Sequence, residues 1–202
     1  MGALPEVPGV EHRWVETSRI RMHVAEAGAG EPIVLLHGWP QHWYAWRHVI
    51  EPLSTRYRVL CPDLRGLGWS EAPPDGYEKV SLADDVLALL DALEIERTRL
   101  VGHDWGAFAG FLLCLRAPER VERFLALNEI HPWMRLGHRE VLQSWRLWYQ
   151  LVLALPGLGP WALRRGPQFV DSLFRLWSAR DVWSDGGPPR GRPGSERRGE
   201  WN

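Results

Sequence analysis

The chain has 202 residues, of which 45% are hydrophobic and 24% charged, and its 24 Lys or Arg against 25 Asp or Glu leave a net charge of −1. These values are typical of one globular domain, or of one domain with an inserted lobe. The charge balance argues against a nucleic acid as the main partner, and no polybasic segment favours a membrane surface. Lys79 is the single lysine, which indicates a GC-rich coding sequence more than a function.

The cysteine content and the uncharged segments bear on the cellular compartment. Cys61 and Cys114 are too few for a disulfide framework and lie in apolar stretches, so we expect buried free thiols. The first residues show no basic region followed by an apolar run, so no secretory signal is predicted. The longest uncharged run, Leu147–Leu163, is interrupted by prolines and glycines and is too short to span a bilayer. We therefore expect a cytoplasmic protein.

Short β-rich runs alternate with helix-length segments over the first part of the chain. His12–Thr17 and Ile20–Ala27 predict the two strands of a hairpin. Four apolar runs predict strands that are buried on both faces: Ile33–Leu36, Tyr57–Cys61, Arg99–Val101 and Phe124–Leu127. Strands separated by helices form βαβ units, so the fold class is α/β, with a parallel sheet and helices on both of its faces.

Two segments between these strands carry clear helical patterns. Ser81–Leu93 has one apolar face, and we expect Ser81 to cap this helix, with Asp84 three residues later. Ala107–Ala117 is the second helical run.

The pattern changes after Asn128. From about Leu136 to Ser178 there are only helical stretches dense in Leu, Trp and Arg, which predict a separate helical lobe over residues 131–184. Residues 185–202 are rich in Gly, Pro and Arg and carry too few apolar side chains to form a core, so we predict a disordered tail.

The pentapeptide Gly102-His103-Asp104-Trp105-Gly106 lies between a predicted strand and a predicted helix. Its glycines permit a strained strand-to-helix turn that pushes the central side chain above the sheet, beside the N–H groups of the helix N-terminus. A carboxylate at this position can attack carbon, by opening a strained ring or displacing a halide, and the resulting ester must then be cleaved by water. The alternative is a glycine-rich turn in which Asp104 only caps the helix.

Four motifs occur in an order that carries a family resemblance: His37-Gly38-Trp39-Pro40, the Trp-rich segment Gln41–Arg47, the glycine-rich loop Asp63–Ser70 and the pentapeptide around Asp104. Together they resemble the α/β-hydrolase family and, within it, the epoxide hydrolase branch. The resemblance implies a hydrolase core over residues 1–130 and an inserted helical cap over residues 131–184. It also implies that no cofactor and no metal ion is needed, and that the substrate is small and lipophilic.

The resemblance also implies roles for individual residues. Asp104 is the expected nucleophile, and the backbone N–H groups of Trp39 and Trp105 the expected oxyanion hole. Trp39, Trp105 and Trp148 are expected to line the substrate pocket. Tyr149, in a cap motif Trp-Tyr-Gln, is expected to protonate the leaving oxygen, although it could instead only pack at a helix interface. His37 and the loop Asp63–Ser70 are expected to be structural.

One part of the family machinery is missing from this sequence. The resemblance requires a His base after the cap, held by a second carboxylate, and the eight histidines all come before it: His12, His23, His37, His42, His48, His103, His131 and His138. We expect the side chain of His103 to point away from the pocket. We also expect the chain to be C-terminally truncated or frameshifted, with the last part of the sheet missing and ester hydrolysis impaired.

Three hypotheses about function remain open. The first is an epoxide hydrolase that acts through Asp104, and the second is a haloalkane dehalogenase that uses the same residue with a halide site. The third is a non-catalytic pseudo-hydrolase that binds apolar ligands through a Trp-rich cap. A serine esterase ranks lowest because Asp104 replaces the serine, and the oligomeric state stays open.

Overall fold

A computed structural model describes residues 3–129 together with Val152 and Leu155. The chain divides into two units, Met1–Met134 and Arg135–Asn202, and the fold described below belongs to the first. The predicted cap over residues 131–184, apart from those two positions, and the predicted tail over residues 185–202 lie outside the described residues. Among the helices described, none is long and apolar enough to cross a membrane.

The described part is built on a six-stranded sheet with the strand order β1-β2-β4-β3-β5-β6. β1 and β2 form an antiparallel hairpin, β2 is antiparallel to β4, and the pairs β3–β4, β3–β5 and β5–β6 are parallel. The sequence therefore predicted both the hairpin and the parallel part correctly. The strands span Glu11–Glu16 (β1), Arg21–Ala27 (β2), Glu31–Leu36 (β3), Tyr57–Pro62 (β4), Thr98–His103 (β5) and Val121–Leu127 (β6).

Three α-helices pack on this sheet: α1 Arg47–Ser54, α2 Lys79–Ala92 and α3 Trp105–Arg116. Helix α1 contacts β4, helix α3 contacts β5 and β6, and helix α2 contacts α3. Short 3₁₀ turns at Trp43–Trp46 and Pro118–Arg120 precede α1 and β6.

Strand β3 shows how the sheet separates two cores. Val34 and Leu36 point into a core formed with leucines of α2 and α3. Ile33 and Leu35 point to the opposite face and belong to a second core with Trp43 and Ile50. Because successive side chains of a strand point to opposite faces, a continuous apolar run needs a hydrophobic layer on each side. The helices on both faces supply those layers, as the sequence predicted.

Two sequence expectations about elements are wrong. Strand β6 is not buried on both faces, because Leu125 is 55% exposed and β5 is its only neighbour in the described sheet. Helix α2 begins at Lys79 rather than at Ser81, and Ser81 lies in its first turn, where its hydroxyl is 3.4 Å from the Glu78 carboxylate. Glu78 has the extended backbone of an N-cap but makes no capping bond with its side chain.

The two cysteines are both free thiols, as expected. Cys61 on β4 is fully buried, and burial raises the pKa of its thiol well above the ordinary value. Cys114 on α3 is only half-buried, so the expectation of burial holds for one thiol of the two.

Candidate active site

The candidate site is built on the turn between β5 and α3. Asp104 has φ 51° and ψ −120°. Residues other than glycine rarely adopt this backbone conformation, which costs about 1–3 kcal/mol. Its N–H donates to the carbonyl of Leu127 at 3.2 Å, and its carbonyl accepts from the N–H groups of Ala107 and Phe108. These bonds to β6 and to the first turn of α3 hold the strained residue in place.

Two glycines allow this turn to approach the end of β3. A Cβ atom on Gly106 would overlap the carbonyl oxygens of Leu36 and His37. A Cβ atom on Gly38 would lie 2.5 Å from the Cβ of Asp104 and 2.7 Å from its Oδ1. Since β3 and β5 are parallel neighbours, their carboxyl ends meet at one edge of the sheet, and the two glycines let the following turns touch there.

Among the described residues, one backbone donor holds the carboxylate of Asp104. The N–H of Trp39 donates to Oδ1 of Asp104 at 2.9 Å, across 65 positions of sequence. Trp105 is the first residue of α3, so its N–H has no acceptor inside the helix. In the described part of the chain, this second N–H makes no hydrogen bond to the Asp104 carboxylate.

The indole rings of Trp39 and Trp105 lie next to each other beside Asp104. Their centroids are 6.4 Å apart, the ring planes make an angle of 33°, and both side chains are half-buried. The structure therefore brings together three of the five residues predicted for the site. Trp148 and Tyr149 lie outside the described residues.

Sequence reasoning missed Lys79 as a residue of this site. Its Nζ lies 3.4 Å from the centroid of the Trp105 ring and 5.8 Å from that of Phe108. Burial lowers the pKa of Lys79 to about 8, although the carboxylates of Asp104 and Glu129 act in the opposite direction. Its being the only lysine was visible in the sequence, but no motif connected it to Asp104.

His37 joins the turn after β3 to the loop after β4. It is fully buried, its Nδ1 is 3.0 Å from the carbonyl oxygen of Gly38, and its Nε2 accepts the N–H of Leu64 at 3.0 Å. Burial lowers the pKa of His37, which favours the neutral ring that can accept this N–H. The ring fixes the turn that carries Trp39, in agreement with the structural role that we expected.

Asp63 organises the loop Asp63–Ser70 from a fully buried position. Its carboxylate accepts the N–H groups of Trp43 at 2.7 Å and Trp69 at 2.9 Å, and lies 2.8 Å from Nδ1 of His23. Burial by itself would raise the pKa of Asp63, but the bonds from His23 and the two amides outweigh it and hold the pKa below its usual value. All of these partners are internal, so this carboxylate is structural.

No histidine of the described residues forms a hydrogen bond with Asp104. His103 places Nδ1 3.1 Å from Oε1 of Gln41 and Nε2 3.5 Å from the amide nitrogen of Asn128, and burial lowers its pKa. His131 and His138 lie outside the described residues. The described part of the site thus presents a nucleophile candidate without a histidine hydrogen-bonded to it.

Comparison with known proteins identifies the family of the fold. The model of the alpha/beta hydrolase fold family matches residues 31–155. A soluble epoxide hydrolase of Corynebacterium sp. (strain C12) is 41% identical over 128 residues, which are 63% of this chain and 45% of that protein. The mouse protein named epoxide hydrolase 4 is 30% identical over 188 residues, 90% of this chain and 50% of its own.

A solved structure gives the same result. The crystal structure of an epoxide hydrolase from Vigna radiata superposes with a TM-score of 0.70 at 35% identity, over 88% of this chain and 57% of that one. The chain spans about half the length of the curated relatives it matches. The strand order, the strained turn at Asp104 and these matches lead to one conclusion. The chain belongs to the α/β-hydrolase fold family, in its epoxide hydrolase-like branch.

Proposed function

We propose that the protein acts on small lipophilic epoxides and that Asp104 is its nucleophile. The observation that carries this proposal is the hydrogen bond from the N–H of Trp39 to Oδ1 of Asp104. This bond orients one carboxylate oxygen inward and leaves Oδ2, which accepts no hydrogen bond from the described residues, for attack. A carboxylate so placed on a strained turn beside two aromatic rings matches the needs of attack on carbon.

In the first step, Oδ2 of Asp104 attacks a ring carbon of the epoxide. The carbon–oxygen bond of the ring breaks, and the oxygen takes a proton from the hydroxyl of Tyr149. The product of this step is an ester between Asp104 and the opened substrate, in which Oδ1 is the carbonyl oxygen.

In the second step, water attacks the carbonyl carbon of the Asp104 ester. Negative charge then develops on Oδ1, which already accepts the N–H of Trp39. The N–H of Trp105, at the first position of α3, is the proposed second donor. Collapse of this intermediate releases a diol and restores the carboxylate of Asp104, and the proton that a base takes from water returns to the phenolate of Tyr149.

The second step needs a base that takes a proton from water. All eight histidines of this sequence lie at or before His138, and none of those described is hydrogen-bonded to Asp104. We infer that this chain forms the ester faster than it hydrolyses it, so that a covalent adduct accumulates.

The test is incubation with styrene oxide followed by intact-mass measurement. We expect one adduct per chain, mapped to Asp104 by peptide sequencing, and none in Asp104→Asn. Asp75→Asn, which removes an exposed carboxylate instead, is the matched control and should react like the unmodified chain. Sustained diol production without an adduct would contradict the inferred lack of a base, and an adduct on another residue would contradict the proposed nucleophile.

Halide release and ligand binding, measured on the same variants, separate the alternative functions. A haloalkane dehalogenase would release halide from a chloroalkane or bromoalkane, using Asp104, without preferring epoxides. A pseudo-hydrolase would bind apolar ligands equally well after Asp104→Asn and form no adduct.

A cytoplasmic location is also proposed, and the two free thiols, Cys61 and Cys114, support it.

A further inference from the structure

The wall of the candidate site beside Asp104 is not purely apolar. Lys79, at the first position of α2, extends its ammonium over the face of the Trp105 indole, at 3.4 Å from the ring centroid. Phe108, one turn further along α3, lies 5.8 Å from the same nitrogen. A cation therefore covers the indole that the sequence placed in a hydrophobic pocket.

The contacts of this ammonium leave most of its hydrogen-bonding capacity unused. An ammonium has three N–H donors, and an aromatic face attracts the charge without accepting three hydrogen bonds. Within the part of the chain that the structure describes, Nζ of Lys79 makes no ion pair and donates no hydrogen bond. The carboxylates of Asp104 and Glu129 act on it through space only.

A negatively charged group in the site would be a stronger partner for Lys79 than the rings are. A hydrogen bond between ammonium and carboxylate is roughly twice as strong as one between neutral groups. Half-burial strengthens it further, because the local dielectric constant is lower than that of water. The ammonium also offsets part of the repulsion that the carboxylates of Asp104 and Glu129 exert on an anionic ligand.

We propose that Lys79 is an anion-recognition residue of the Asp104 site, and that the site selects epoxides that carry a carboxylate next to the reacting ring. This inference rests on the proposed function and narrows its substrate class from lipophilic epoxides to epoxy acids with an apolar remainder. Trp39 and Trp105 contact the apolar part, and Lys79 holds the carboxylate.

The first experiment compares two probes of equal shape, 3-phenylglycidate and 3-phenylglycidamide, which differ in charge. The rate of adduct formation on Asp104 is measured by intact mass, so that no turnover is required. We expect the acid to react at least about tenfold faster than the amide, the ratio to which ~1.4 kcal/mol corresponds. Equal rates for the two probes would overturn the proposal.

Two variants of Lys79 provide the matched comparison. Lys79→Met keeps a flexible chain against the Trp105 ring and removes the charge, and Lys79→Arg keeps the charge. We expect Lys79→Met to lose the preference for the acid, so that the ratio of the two adduct rates falls to about one, and Lys79→Arg to retain a preference for the acid. A similar slowing with both probes would show that Lys79 acts only on Asp104, and would also overturn the proposal.

A second measurement keeps the inference separate from the proposed chemistry. Because Lys79 is the only lysine, an amine-acetylating reagent modifies just this side chain and the N-terminal amine, which serves as an internal reference. We expect the unreactive 3-phenylpropanoate to protect Lys79 and 3-phenylpropanamide to leave it accessible. Protection without any Asp104 adduct would refute the proposed function alone, and an adduct without selective protection would refute the recognition role alone.

Discussion

Asp63 and Asp104 each follow the carboxyl end of a parallel strand, yet their surroundings differ in a way that separates two uses of a carboxylate. Both oxygens of Asp63 are bonded inside the protein, to Trp43, Trp69 and His23, and the side chain is fully buried. Asp104 is half-buried and, among the described residues, accepts one bond, from the N–H of Trp39 to Oδ1. A carboxylate with both oxygens hydrogen-bonded inside the protein stabilises a fold, and one that keeps an oxygen without a partner among the described residues, on a strained turn, has the arrangement that the proposed attack requires.

The largest expected effect tests the structural member of this pair. Asp63→Asn replaces one of the two acceptor oxygens by an N–H₂ group, which then faces either the N–H of Trp43 or the donors from Trp69 and His23, so we expect a loss of about 3 kcal/mol in the free energy of unfolding. Asp104→Asn should change the same quantity by less than about 1 kcal/mol. Urea unfolding followed by Trp fluorescence measures both, and similar losses in the two variants would break the comparison.

The next effect concerns the contact between the two turns at the site. Gly38→Ala places a Cβ 2.5 Å from the Cβ of Asp104, so the turn that carries the N–H of Trp39 must move away. We expect the rate of adduct formation with styrene oxide to fall at least about tenfold, while the stability falls by about 1 kcal/mol. An unchanged rate in Gly38→Ala would show that the Trp39 contact does not matter for reactivity.

The smallest expected effect is a pH dependence of the free energy of unfolding that comes from the buried His37. It tests whether this residue is a structural group, as distinct from the residues of the site. Burial lowers the pKa of His37 below 6.5 in the folded chain, so its contribution to stability is complete above pH 6.5 and is lost as the pH falls through the folded-state pKa. Gln in its place can still accept from Leu64 and donate to the Gly38 carbonyl. We therefore expect His37→Gln to lose less stability than the unmodified chain between pH 7 and pH 5. Urea unfolding of the two proteins at pH 7 and pH 5 measures this difference. Equal losses in the free energy of unfolding over that range would contradict a neutral buried His37.

Local sequence patterns were sufficient for most of the described elements. Alternation and apolar runs placed the hairpin and the strands from β3 to β5, because side chains that repeat every two positions report which faces of a strand are covered. The pattern Gly-His-Asp-Trp-Gly placed Asp104 on a strained turn before a helix, because glycines at its edges are the residues that permit such close packing. The cap of α2 was placed wrongly at Ser81, because the helix extends back to Lys79 with the extended Glu78 before it.

The remaining features depend on contacts between distant parts of the chain. The exposure of β6 follows from its place in the strand order, and four apolar residues in a row carry no information about that place. The hydrogen bond between Trp39 and Asp104 forms because β3 and β5 are neighbours in the sheet. Lys79 reaches Trp105 because α2 packs against α3. The sequence by itself determined the elements and the carboxylate at the strained turn, and only the tertiary structure decided which donors and which cation lie beside it, since those contacts are set by packing rather than by local propensity.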